Sequence, residues 1–99
     1  MNDRRYGFIG IVVEQGEVAG AGPGPRIQAI LSEYPQIICG RMGLPHLEQD
    51  TLSVITLIVH ATTDELGALT GKLGRLPGVA VKSALAKLPS SGPVFEGSE

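Results

Sequence analysis

TLSVITLIVHA, residues 51–61, gathers Val, Ile, Leu and Thr into a run too short for a comfortable helix, and it is the strongest strand signal in the chain. YGFIGIVV, residues 6–13, is a second run of the same kind. Side chains alternate across a strand, so Val54 and Ile58 point one way while Ile55, Leu57 and Val59 point the other. By the same rule Phe8 and Val12 oppose Ile9, Ile11 and Val13. Both faces of both strands are apolar, and the rest of the chain has to be arranged around that fact.

Working outward, residues 6–13 form the first strand and EQGEVAGAGPG (14–24) a glycine-rich loop. Pro25 suits the first turn of a helix, where its missing N–H is not needed. Ile27, Ile30, Leu31 and Tyr34 then recur at helical spacing until Pro35 ends the pattern. QIICGRM (36–42) reads as a second strand and GLPHLEQD (43–50) as a polar turn leading into the third, residues 51–61. Thr62 and Glu65 have the spacing of a capping box, with Asp64 favoured by the helix dipole. A helix is expected from Thr63 to Leu76, with Leu66, Leu69, Leu73 and Leu76 as its core stripe. Pro77-Gly78 stops it, and VAVKSA (79–84) makes a fourth strand. The order strand, helix, strand, strand, helix, strand predicts an α+β, ferredoxin-like βαββαβ fold. Right-handed crossovers place the first and third strands centrally in a four-stranded antiparallel sheet, with both helices on one face. Residues 1–87 are expected to form this one domain and residues 88–99, rich in Pro, Gly, Ser and Glu, a mobile tail.

Two helices cover only one side of such a sheet. Roughly five aliphatic side chains left in water on the other side would forfeit on the order of 1.5–3 kcal/mol each. The tail supplies only Val94 and Phe95 as apolar cover, so Phe8, Val12, Val54 and Ile58 are expected to form an interface with further copies of the chain, as a homodimer or homotetramer. Gly67, Gly71 and Gly74 lie along one line of the second helix. They are expected to permit a close approach, either to the chain's own sheet or to a subunit or ligand.

Eight Lys and Arg against ten Asp and Glu give a formal net charge of −2, which disfavours direct nucleic-acid binding. The single cysteine, Cys39, excludes an internal disulfide and suits a reducing, cytoplasmic location; it reads as a small buried hydrophobe. No run reaches the length of a membrane span and no secretory signal is visible. Cys39, His46 and His60 have no compact metal-site spacing, so no metal or other cofactor is expected, and only two copies meeting at an interface could bring these three residue types together as ligands. GALTGKL, residues 67–73, is one residue short of a phosphate loop and lacks its Ser or Thr. GAGPG, residues 20–24, lacks the dinucleotide-binding spacing, although it could line a small-molecule pocket. With no nucleophile elbow, no Cys–His arrangement and no free carboxylate pair, no catalytic residues are expected and the protein is read as a non-enzyme.

FIGIVVE (8–14), ILSEY (30–34), IICGRMGLP (37–45) and above all TTDELGALTGKLGRLPGVAVKSAL (62–85) resemble the iron-only hydrogenase system regulators. The likeness spans roughly residues 6–87. It implies a fold similar to ACT domains and to the C-terminal domain of the nickel-responsive repressor, assembling into dimers or tetramers. Only five residues precede the first strand, so any transcriptional effect is expected to need a partner. The repressor's His-His-Cys ligand pattern finds no match, and no metal ligands carry over. Two functions follow. In the first, a regulatory sensor binds a small effector at a subunit interface, with Gly40, Arg41, Gly43, Thr62, Thr63 and Gly67 as the binding residues beside the Gly16–Gly24 loop. In the second, the oligomer is a structural module that docks a partner protein of metalloenzyme maturation.

Overall fold

The computed structural model describes residues 3–14 and 23–87. Its elements run β1 (Arg5–Glu14), α1 (Gly24–Leu31), β2 (Ile38–Leu47), β3 (Leu52–Ala61), α2 (Thr63–Gly74) and β4 (Val79–Leu85). The sheet order is β2-β3-β1-β4, every neighbouring pair antiparallel, so the two apolar strands are the central pair as expected. Both helices lie on one face. There Ile9, Ile11, Val13, Leu57, Val59 and Ala61 meet Ile27 and Leu31 of α1 and Leu69 and Leu73 of α2 in one aliphatic core.

Local chemistry sets the element ends. Pro25 sits in the first turn of α1, where no N–H is missed. At α2 the capping box is complete: the Glu65 N–H donates to the Thr62 hydroxyl at 3.0 Å, and the Thr62 N–H donates to Glu65 Oε1 at 2.9 Å. Gly78 turns the chain into β4 with φ of +76°, a left-handed conformation that glycine adopts without penalty. Its carbonyl accepts from the Glu14 N–H at 2.8 Å, tying this turn to the end of β1. Gly7 answers a different need. A Cβ there would lie 2.1 Å from the Ala84 carbonyl oxygen, so β1 and β4 can pair at that point only around glycine.

Three expectations need correction. β2 does not stop at Met42 but runs on to Leu47, replacing most of the predicted turn at 43–50. Pro45 is tolerated because β2 is an edge strand and the register shifts between Leu44 and Leu47, where a missing donor breaks little of the ladder. α1 ends at Leu31, and Tyr34 packs on the core from the turn beyond it. Cys39, expected to be buried, is exposed because the register also shifts between Ile38 and Gly40. The glycine-rich loop and the predicted tail lie outside the described residues, apart from Glu14, Pro23 and Gly24.

Candidate functional site

The helix-free face of the sheet is built in cross-strand rows. Leu44, Val54, Val12 and Ala80 form one row; Met42, Thr56, Gly10 and Lys82 the next; Gly40, Ile58, Phe8 and Ala84 the third. Beyond them His60 pairs with Tyr6, and the two rings stack at 4.4 Å between centroids. The four residues expected at an interface are thus brought together, Phe8 opposite Ile58 and Val12 opposite Val54. Phe8 and Ile58 are each 53% exposed, while Val54 is half-buried. Met42 at 66% and Leu44 at 57% extend the patch onto β2. Leu44 is missed by a reading that ends the strand at Met42, although the alternation of Gly40, Met42 and Leu44 is there to be followed.

A second concavity lies at one end of the sheet, where β2 and β3 pass the start of α1. It holds about 300 Å³ and is walled by Val13, Ile27, Leu44, Val54 and Ile55. Its polar groups come from Gln28, Arg41 and Ser53. The Arg41 guanidinium donates to Gln28 Oε1 at 2.9 Å, which spans the mouth from β2 to α1. Arg41 and Gly43, both predicted to bind an effector, line this cavity.

The remaining predicted effector residues stand elsewhere. Gly40 lies in the row of Ile58 on the open face. Thr62, Thr63 and Gly67 belong to the start of α2, at the opposite end of β3 from Ile55, roughly 20 Å away along an extended strand. The Thr62 hydroxyl is committed to the capping box. Glu65 also receives Arg4 Nη2 at 2.9 Å. Its carboxyl is held below the usual range, first by the Thr62 N–H and then by Arg4, with partial burial opposing both. Among the described residues Gly67, Gly71 and Gly74 meet no close neighbour: a Cβ at any of the three would find nothing within 4 Å. Their expected close approach is therefore not made to the chain's own sheet.

Other polar groups are arranged for structure. Lys72 donates to Glu33 at 2.7 Å and stands 5.2 Å from the centre of the Tyr34 ring, and both partners raise its pKa, Glu33 most. His46, near the end of β2, pairs at 2.9 Å with Asp50 of the turn that follows, away from His60 on the open face. Among the described residues no three His, Cys, Asp or Glu side chains converge as metal ligands would. No helix among them is long and apolar enough to cross a membrane.

Comparison with known proteins places a chain of this geometry. The model of the TM1266-like family, described as "Iron-only hydrogenase system regulator, putative", matches residues 5–83. The chain belongs to this family. Among solved structures it is similar to the uncharacterized protein TM1266 from Thermotoga maritima, at 32% identity and a TM-score of 0.74, covering 86% of this chain and 100% of that one. It is also similar to the ACT domain of a GTP pyrophosphokinase from Chlorobium tepidum. There the identity is 22% and the TM-score 0.65, over 82% of this chain and 99% of that one, a likeness of fold. No curated protein matches the chain. The TM1266-like family thus agrees with the resemblance carried by residues 62–85, and the ACT-like architecture with the predicted element order.

Proposed function

We propose that this member of the TM1266-like family is a non-enzymatic regulatory module that works as a homo-oligomer, with a small effector bound beside the subunit interface. The observation that carries the reading is the open face. Phe8, Val12, Met42, Leu44 and Ile58 stand 40–66% exposed in one contiguous patch. Completing their burial is worth about 1 kcal/mol each. The sheet measures roughly 19 Å by 30 Å. With side-chain relief, that footprint approaches the about 800 Å² per partner of a standard specific interface. A second copy of the chain is a fitting cover, because an identical apolar sheet packs on it at the usual sheet-to-sheet spacing of about 10 Å.

The effector is assigned to the cavity walled by Val13, Ile27, Val54 and Ile55 and capped by Arg41, at the small end of ligand-sized volumes. Its chemistry suits a compact molecule with an apolar body and a hydrogen-bond-accepting or anionic group for Arg41. Leu44 and Val54 line the cavity and also belong to the open face, so occupancy and assembly share residues. An effector that also touches Thr62, Thr63 and Gly67 has to lie between two copies, since one chain keeps the two sets apart. Thermal shift and calorimetry against free amino acids, nucleotides and divalent metals test this assignment. A hit is expected to stabilise the wild type and to lose at least tenfold in affinity in Arg41→Ala; no stabilisation by any class contradicts it.

A further inference from the structure

We infer that two copies are held in register by reciprocal ion pairs, Glu14 of each with Lys82 of the other. The inference rests on the reading that a second copy covers the open face. Along the strands, the residues pointing to that side are Tyr6, Phe8, Gly10, Val12 and Glu14 of β1 and their partners on β3 and β4. Gly40, Met42 and Leu44 of β2 complete the three shared rows. Among them Glu14 and Lys82 alone carry full charges. Neither side chain has a partner among the described residues. Nor can they satisfy each other within one chain. Lys82 is registered with Gly10, four residues before Glu14, a separation of roughly 13 Å along the strands.

The surroundings of Glu14 form a receptacle. Its side chain leans over Gly78, with Cβ and Oε1 at 3.5 and 3.7 Å from the position a Gly78 Cβ would take. Val12, Leu52, Val79 and Ala80 complete a hollow of about 300 Å³ at this end of the open face. An aliphatic stem with a cationic tip fits such a hollow, the stem on Val12 and Ala80 and the tip at the carboxylate.

Symmetry and charge then choose the register. In a two-fold pairing, if Glu14 meets Lys82 of the second copy, Lys82 meets the second copy's Glu14. A pairing centred on the face, with the two-fold axis crossing the strands, would set Lys82 against its own image. Two ammonium groups facing each other across a seam without water repel. Sliding the copies along the strands removes that repulsion and carries each Lys82 toward the hollow of the other. The slide also brings Phe8 and Ile58 over the Leu47 and Leu52 end of the second sheet, so apolar cover is kept.

Charge reversal tests this directly, read by native mass spectrometry and sedimentation of full-length protein. Glu14→Lys and Lys82→Glu alone are each expected to raise the dissociation constant at least about tenfold. An equimolar mixture of the two is expected to form a one-to-one heterodimer, because both cross-pairs are then opposite in sign. The double variant, Glu14→Lys with Lys82→Glu, is expected to self-associate like the wild type. Single variants that assemble as the wild type does, or weakened singles that recover neither in the mixture nor in the double variant, overturn the ion-pair register while leaving the covered face standing. A wild type that fails to associate defeats the underlying reading instead.

Discussion

On the helix side of the sheet Ile9, Ile11, Val13, Leu57 and Val59 are sealed from water, whereas Phe8, Val12 and Ile58, their neighbours along the same two strands, stand half exposed. The residue types are nearly the same on both faces, so hydrophobicity does not decide which face is closed. What decides is supply. One face receives Ile27, Leu31, Leu69 and Leu73 from two short helices, and no described element of the chain reaches the other. Such a sheet carries a domain core on one side and, in our proposal, an assembly surface on the other.

The sharpest way to break this contrast is to cut the closed face. Leu69→Ala removes a fully buried side chain at the heart of the core and is expected to cost about 3 kcal/mol in denaturant unfolding, at every protein concentration. Ile58→Glu cuts the open face. It is expected to weaken association by at least tenfold, with a loss of stability that shrinks as the protein is diluted, because the residue is half exposed in one copy. If the two variants behave alike, the faces are not different in kind.

Smaller effects sharpen the account. Thr62→Ala removes the side chain that opens α2 beneath the closed face and is expected to cost about 1 kcal/mol. Glu65→Gln, which leaves no carboxyl to titrate, should flatten the acid limb of stability, whereas Thr62→Ala keeps the backbone N–H that holds Glu65 down and should preserve it. Glu65 titrates below its ordinary 4.5 when folded, so its contribution is complete above that value and is lost as pH falls through the lower folded value. Urea melts stepped down from pH 6 measure both effects. Gly71→Ala is expected to do the opposite and stabilise α2 by about 0.8 kcal/mol, since the new methyl meets nothing among the described residues. A loss of stability or of assembly there would mean that the outer side of α2 also packs against something.

Much of this architecture is legible in the amino-acid sequence alone. β1 and β3 announce themselves because an uninterrupted apolar run is the mark of a strand with both faces in use, and Thr62 with Glu65 spells the start of α2 by spacing alone. β2 reads too short because Gly43 and Pro45 have the look of turn residues, and nothing local tells an edge strand that it has a ten-residue partner waiting in β3. The true turn is harder still: Glu48, Gln49 and Asp50 take φ of 49°, 59° and 72° with no glycine to signal it. The effector residues split for a related reason. Arg41 and Gly43 sit near Thr62 in a chain folded on paper, but antiparallel pairing of β2 with β3 sends the latter residue to the far end of the sheet.

The central claim is most directly tested by the mass of the protein in solution, measured by light scattering at about ten micromolar without detergent, for the full chain and for residues 1–87. Both are expected to run as a dimer or larger. A stable single subunit in either case would contradict the account, and in the shorter chain it would show that the open face of the sheet can stay in water uncovered.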